Sequence, residues 1–327
     1  MSEDKNNSKV KPLHLKSMGS FNVGGLKRKL PRDEELKVTL THGGEPLKFN
    51  LRQTFHSGSM YVQYFVPLNE RGRCPLLLWH GGGLTGACFE DTPDGRPGWL
   101  NYFIQKGWTV FNSDAVERGR SGWMPYDEPF TDMPFYFPEY FPFELWRLGN
   151  GRYKEMDWSF YNDSQFPIEY YDELLKRLVP SWANSYPLTL QAYKELVDRE
   201  DESVILGHSQ GASFAFRIAE LIPEKVKAIV AIEPGAGGDL ENAKRLKNIP
   251  ILSVYGDYIK NSDRWTKICA KTKDYYDEIR KNGGKVDSIF LPDIGYNGNS
   301  HLLMIEKNNK EIGDYINNWL KEQGLYN

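Results

Sequence analysis

Residues 203–211 read Ser-Val-Ile-Leu-Gly-His-Ser-Gln-Gly and decide the fold class of this chain. Residues 204–206 have the apolar, β-branched character of a buried strand, and residues 212–219 have the composition of a helix. Between them, the sequence fits G-x-S-x-G, a pattern that places a serine on a sharp turn from strand to helix. The glycines at both ends of the pattern avoid collisions of side chains in that turn. This stretch therefore predicts a nucleophile, Ser209, at the edge of a sheet.

Composition and charge limit the class of protein. The 327 residues suffice for one large α/β domain with an insertion or for two domains, and 40% hydrophobic content supports a sizeable core. A net charge of −3 gives no reason to expect nucleic acid as a partner. No run of about 18 apolar residues is present, so we expect no membrane span. The polar start lacks the apolar core of a leader, which predicts a cytoplasmic protein, or a periplasmic or secreted one if a signal peptide was removed.

The cysteines indicate neither a disulfide framework nor a metal site. Cys74, Cys88 and Cys269 form no C-x-x-C pair, and none has metal-ligand spacing to a histidine. We therefore expect buried free thiols, no bound metal, and a reaction that requires no organic cofactor.

Strands and helices alternate along most of the chain, which predicts a mostly parallel central sheet flanked by helices. Residues 31–121 and 188–327 are expected to form this α/β body. Residues 1–30 are polar and basic, and we expect a loosely held N-terminal arm. Strands are predicted at 35–42, 59–66, 76–79, 108–111, 226–232, 251–255 and 286–291, and helices at 98–106, 168–178, 188–199, 264–282 and 310–322.

Residues 122–187 interrupt this rhythm. They hold 19 aromatic residues and eight prolines, and no strand–helix alternation is visible before residue 168. An insertion at this place predicts an aromatic-rich cap over the site. Its rings could line a pocket for a small-molecule ester with an apolar or aromatic part. Alternatively, they could simply pack the insertion onto the body.

A nucleophilic serine needs a base within hydrogen-bond reach and an acid that orients the base. Among six histidines, only His301 follows the last predicted strand in a loop, and the order serine, acid, histidine then fits. Glu233 and Asp257 each end an apolar strand expected beside the strand that precedes Ser209. Both carboxylates would project from the same edge of the sheet, so spacing leaves the choice of acid open.

The reaction also needs two backbone N–H groups aimed at the developing oxyanion. Gln210, directly after the nucleophile, is expected to supply one of them. The glycine loop His80-Gly-Gly-Gly83 is expected to supply the other, from Gly82 or alternatively from Gly83, because glycine lets the backbone approach a substrate closely.

Several motifs resemble those of a small group of bacterial serine esterases in the α/β-hydrolase superfamily. The matching stretches fall in order from about residue 19 to the C-terminus and include His80-Gly-Gly-Gly-Leu-Thr-Gly86, Arg118-Gly-Arg-Ser121, Ile232-Glu-Pro-Gly235 and Gly298-Asn-Ser-His301. The resemblance implies an α/β-hydrolase fold with a glutamate after its sixth strand as the triad acid. That position is Glu233, which the resemblance therefore favours over Asp257.

The chain departs from that group in the glycine loop. One member carries two adjacent, mutually linked cysteines at the positions of Gly82 and Gly83. Hydrolysis does not require those sulfur atoms, because the oxyanion donors are backbone groups.

These residues predict a serine hydrolase that cleaves carboxylic esters through an acyl-enzyme. An amidase or a lactonase with the same triad is the alternative, since the G-x-S-x-G turn does not distinguish the leaving group. A non-catalytic binding protein that keeps the fold as a ligand pocket is a further alternative. The sequence leaves the oligomeric state open, a homodimer included.

Overall fold

The apolar runs of the sequence form the centre of an eight-stranded sheet. The structure is a computed structural model and describes residues 11–152 and 157–327. Two antiparallel pairings lie at one end of the sheet, and the other five pairings are parallel. In spatial order, the strands are β1 (Leu15–Lys29), β4 (Thr54–Pro67), β6 (Val110–Asp114), β5 (Leu76–Trp79), β9 (Ser203–His208), β10 (Val226–Ile232), β11 (Ile251–Tyr255) and β12 (Val286–Phe290).

Helices cover both faces of the sheet, which confirms the predicted α/β class. They are α1 (Ala87–Glu90), α2 (Trp99–Gln105), α3 (Tyr140–Leu145), α4 (Tyr171–Leu175), α5 (Tyr186–Arg199), α6 (Gln210–Leu221), α7 (Asp263–Lys281) and α8 (Asn309–Glu322). Two hairpins lie outside the sheet and pair β2 (Glu35–Val38) with β3 (Leu47–Asn50) and β7 (Gly149–Arg152) with β8 (Asp157–Phe160). In the two described ranges, no helix has the length and apolar character of a bilayer-spanning segment.

Strand β5 shows why the central strands are continuous apolar runs. Leu76 and Leu78 belong to the core cluster that includes residues of α2 and α8, whereas Leu77 and Trp79 belong to the cluster that includes residues of α5, α6 and α7. Each successive side chain therefore meets a different helical layer, and burial of each stabilises the fold by about 1.5–3 kcal/mol. This strand is covered on both faces, and all four of its side chains are apolar.

The structure of the N-terminal region differs from the loosely held arm that the sequence predicts for residues 1–30. Residues 15–29 form β1, an edge strand with antiparallel pairing to β4, so a loosely held arm is wrong for this part of the chain. The side chain of Phe21 packs 6.2 Å from Tyr64 and 6.1 Å from Phe111, measured between ring centroids. Backbone hydrogen bonds hold the strand while its basic side chains face solvent. Residues 1–10 lie outside the described ranges.

Residues 122–187 contribute no strand to the eight-stranded sheet within their described part. This segment contains α3, α4 and the β7–β8 hairpin, and α5 begins at its end. Some of its rings pack against one another, as Phe143 does on Trp158 and Phe160 with centroids 4.9 and 5.3 Å apart. The division of the chain into a body and a cap stays a proposal, and residues 153–156 lie outside the described ranges.

Candidate active site

Ser209 lies on a strained turn between β9 and α6. Its φ of 51° and ψ of −109° fall in a region that residues other than glycine rarely adopt, at a cost of about 1–3 kcal/mol. The flanking glycines have a steric cause. A Cβ atom on Gly211 would lie 2.2 Å from the carbonyl oxygen of Trp79, and one on Gly207 would lie 2.6 Å from the nitrogen of Ala212. The backbone of residues 207–211 therefore tolerates no larger side chain at either glycine.

His301 and Glu233 form a buried pair beside the Ser209 turn. Nδ1 of His301 lies 2.9 Å from Oε2 of Glu233, and both side chains are inaccessible to solvent. The carboxylate can only accept, so Nδ1 carries the proton and donates it. Nε2 has no hydrogen-bond partner among the described residues and is left as the acceptor of the ring. In this structure Nε2 is thus not bonded to the Ser209 hydroxyl, and that contact stays a prediction.

The charges around this pair fix its ionisation. Burial alone raises the pKa of Glu233, but the Arg147 guanidinium and the hydrogen bond from His301 outweigh burial and lower that pKa to about 2. Nη2 of Arg147 lies 2.8 Å from Oε1 of Glu233. Burial lowers the pKa of His301 below 6.5, although the Glu233 carboxylate opposes this effect. At neutral pH, the pair therefore consists of an ionised acid and a neutral imidazole.

Asp257, the alternative acid, is occupied elsewhere. Its carboxylate accepts hydrogen bonds from the backbone N–H groups of Tyr258 at 2.7 Å and Gly298 at 3.3 Å. Its own N–H donates to the carbonyl oxygen of Asn299 at 2.6 Å. Among the described residues no hydrogen bond joins Asp257 to His301. Asp257 therefore stabilises the loop before His301 through hydrogen bonds to Gly298 and Asn299. This geometry favours Glu233 as the acid.

The two residues that are expected to supply the oxyanion donors lie close together. A Cβ atom on Gly82 would lie 3.7 Å from Oε1 of Gln210, so the glycine loop and the start of α6 are in contact. Neither backbone N–H group donates a hydrogen bond to another described residue. Gly83, the alternative donor, is buried and has a φ of 74°, and a Cβ atom there would lie 2.5 Å from Cε2 of Phe137. Gly82 is the more open of the two glycines.

Hydrogen bonds fix the glycine loop at both ends. Nε2 of His80 accepts from the N–H of Ala115 at 2.9 Å, so its Nδ1 is protonated and donates to the carbonyl oxygen of Gly81 at 2.8 Å. Burial lowers the pKa of His80 to about 4, which keeps this arrangement neutral. At the other end, the N–H of Gly86 donates to Oδ1 of Asp114 at 2.8 Å. The side chains of His80 and Asp114 thus anchor the two ends of the loop.

Three residues that the sequence analysis did not single out support the His301–Glu233 pair. Arg147 binds the carboxylate. His208 is fully buried, and its Nε2 lies 2.9 Å from the carbonyl oxygen of His301, to which it donates. The Trp265 ring packs on the His301 imidazole with centroids 4.2 Å apart. Only the position of His208 next to the nucleophile gave a signal in the sequence, because the other two reach the site from distant elements.

The three cysteines are free thiols. Cys74 and Cys88 are buried as expected, whereas Cys269 on α7 is partly exposed. Burial raises the pKa of Cys74 to about 11 and that of Cys269 to about 12, so both stay protonated at neutral pH. No group of three His, Cys, Asp or Glu side chains within 11–152 and 157–327 is arranged to hold a metal ion.

Comparison with known proteins identifies the family of this site. A solved structure described as a novel bacterial esterase is 31% identical to this chain and superposes on it with a TM-score of 0.82. The match covers 96% of this chain and 98% of the solved one. The chain belongs to this esterase family of the α/β-hydrolases. As a member, it is an ester hydrolase, and the resemblance stated from the sequence is confirmed at this level.

A more distant relative of the present chain comes from a fungal species (strain ATCC 74256) and is named "Probable secreted lipase phiG". It is 25% identical to the present chain over 321 residues, which cover 82% of this chain and 87% of the fungal protein. No family model matches the esterase.

Proposed function

We propose that this esterase hydrolyses carboxylic esters of small molecules through an acyl-enzyme, with Ser209 as nucleophile, His301 as base and Glu233 as acid. The observation that carries the proposal is the buried 2.9 Å hydrogen bond between His301 and Glu233, which leaves Nε2 as the only acceptor of the ring. The strained turn at Ser209 lies at the same sheet edge, since β9 and β10 are adjacent parallel strands. A serine, a neutral base and an ionised acid are the groups that acyl transfer needs.

In the proposed reaction, the Ser209 oxygen attacks the carbonyl carbon while Nε2 of His301 takes the hydroxyl proton. The N–H groups of Gly82 and Gln210 stabilise the tetrahedral oxyanion, with Gly83 as the alternative to Gly82. The carbon–oxygen bond to the alcohol then breaks, and the alcohol leaves with the proton from His301. Water attacks the acyl-enzyme, gives its proton to His301, and the carboxylic acid is released as the serine recovers that proton.

The proposal is tested by labelling with a fluorophosphonate, which phosphonylates only an activated serine. We expect the wild-type protein to be labelled at Ser209 and His301→Ala to be labelled far more slowly. A folded wild-type protein that stays unlabelled would contradict the proposal. Hydrolysis of p-nitrophenyl esters, p-nitroanilides and lactones then separates an esterase from an amidase or a lactonase, because the ester and the anilide can share one acyl group and the lactone keeps its alcohol attached to the acyl group.

The pH profile follows from the lowered pKa of His301. The base must be neutral, so activity is lost as pH falls through that pKa, which burial places below 6.5. Glu233 stays ionised throughout, since its pKa is about 2. We therefore expect kcat/KM for a soluble ester to be at its plateau at pH 7 and to fall only below about pH 6.5. An acidic limb centred above pH 7 would show that the imidazole is not held as described.

We also propose that residues 122–187 form a cap whose rings contact the apolar or aromatic part of the ester. The ring of Phe137 lies against Gly83 in the glycine loop. Its centroid is 5.5 Å from that of Phe135 and 4.7 Å from that of Phe141, so an aromatic row leads away from the proposed oxyanion site. Phe137 is partly exposed and therefore available to a substrate.

Replacing Phe137 with alanine should change the preference among substrates rather than the chemistry. We expect kcat/KM for hexanoyl and benzoyl p-nitrophenyl esters to fall about tenfold, and that for the acetyl ester to fall much less. Tyr136→Ala is the matched control, because this neighbouring ring is 55% exposed. Equal losses for all three esters in Phe137→Ala would argue that the ring only packs the segment.

Location and oligomeric state stay predictions. The name of the fungal relative supports secretion among the locations left open.

A further inference from the structure

The segment Leu145 to Arg147, which belongs to residues 122–187, touches every part of the His301–Glu233 pair. The N–H of His301 donates to the carbonyl oxygen of Trp146 at 3.0 Å. Nε1 of Trp265, whose ring packs on the imidazole, donates to the carbonyl oxygen of Leu145 at 2.6 Å. Three consecutive residues thus hold the backbone of the base, the ring that covers it and, through Arg147, the acid.

Arg147 makes the most specific of these contacts. Its Nη2 binds Oε1 of Glu233 at 2.8 Å, while its Nε donates to the carbonyl oxygen of Asp257 at 3.0 Å. The guanidinium also lies 5.1 Å from the centre of the Trp265 ring. Arg147 is 3% exposed and has a φ of 56°, so the chain accepts a strained backbone to deliver a charged side chain into the core.

The contact occupies one oxygen of the acid and leaves the other for the base. Oε1 of Glu233 accepts from Arg147 and also from the N–H of Gly256, and Oε2 accepts from His301. A carboxylate fixed in this way cannot rotate and keeps Oε2 directed at Nδ1. Removal of Arg147 would leave a buried carboxylate without a neutralising cation.

We propose that Arg147 is a positioning residue, which acts on the reaction by holding Glu233 ionised and oriented toward His301. The inference rests on the proposed function, since it presumes that Glu233 is the acid. The segment that carries the proposed cap would then also complete the catalytic machinery. Arg147 touches neither the substrate nor the atoms that react.

The charged surroundings of the pair give the sign of the expected effect. Arg147 repels a proton on His301 and shares the Glu233 carboxylate with it, so loss of Arg147 raises the pKa of the base. The acidic limb of kcat/KM therefore moves to higher pH. Besides each other, Glu233 and His301 face Arg147, His208 at the end of β9, Arg264 and Cys269 of α7, and Glu306 after the His301 loop.

The test compares Arg147→Met and Arg147→Lys in the wild-type protein, and Arg147→Met again in a Glu233→Gln background. We expect Arg147→Met to move the acidic limb of kcat/KM upward by about one pH unit or more, and Arg147→Lys, which keeps the charge, to leave it near the wild-type position. At the alkaline plateau, Arg147→Met should lower kcat/KM about tenfold in the wild type and by less than about twofold beside Gln at position 233.

A merely structural arginine gives a different pattern. If Arg147→Met lowered kcat/KM equally in the wild-type and Glu233→Gln backgrounds and left the acidic limb of the pH profile in place, the inference would be overturned. Wild-type activity in Glu233→Gln alone would instead contradict the proposed triad, so the two failures are distinguishable. If Arg147→Met does not fold, Arg147→Lys and the double variant still decide the question, because the double variant removes both buried charges and should match Glu233→Gln.

Discussion

Replacement of Ser209 with alanine is expected to lower kcat by about ten-thousand-fold or more while the fold stays intact. The substitution removes only the hydroxyl oxygen, and no described residue forms a hydrogen bond to that atom. Alanine keeps the Cβ atom at the same φ of 51°, so the backbone strain of the turn is unchanged. Steady-state hydrolysis of a p-nitrophenyl ester measures the loss, and the melting temperature shows that the protein is folded.

Ser203→Ala is the matched control for this experiment. Ser203 is buried at the opposite end of the same strand, and its hydroxyl has no hydrogen-bond partner among the described residues. The same change should therefore leave kcat within about twofold of wild type, since it lies far from the reacting atoms. Comparable losses in both variants would show that the chemistry does not depend on Ser209.

Replacement of Glu233 with glutamine is expected to lower kcat by about a thousand- to ten-thousand-fold. A neutral amide can offer an N–H group to Nδ1 and so stabilise the wrong tautomer of His301. It also cannot stabilise the imidazolium that forms when the base takes the serine proton. The substitution leaves Arg147 buried without its anion, so we expect a lower melting temperature as well.

Asp257→Asn separates the two candidate acids, since it removes the same charge from the neighbouring strand end. Its amide oxygen can still accept from the N–H groups of Tyr258 and Gly298, so we expect less than about a tenfold loss of kcat. A larger loss in Asp257→Asn than in Glu233→Gln would assign the acid to Asp257. Circular dichroism of both variants at the assay temperature shows whether each loss is chemical.

The parts of the molecule that the sequence predicted are those determined by local patterns. The continuous apolar runs at 76–79 and 204–206 indicated burial on both faces, which a helix-flanked parallel sheet provides. The glycines around Ser209 marked a turn where a Cβ atom would collide with the neighbouring strand. Predictions of this kind need no knowledge of which distant segments meet.

The features that the sequence did not predict depend on contacts between segments that are distant along the chain. Strand β1 is mostly polar and is held by its backbone, so its side chains carried no strand signal. Arg147 lies among aromatic residues and prolines, and its role exists only because α3 brings it beside Glu233. For the same reason, the spacing of residues left Glu233 and Asp257 equivalent as acids, although the structure gives them different partners.

The glycine loop is stabilised by a neutral imidazole and a carboxylate, and no sulfur atom lies between His80 and Gly86. Its shape is therefore independent of the redox potential of the surroundings. This part of the enzyme therefore needs no disulfide bond to form. The loop can adopt the same geometry in a glutathione-rich compartment and in an oxidising one.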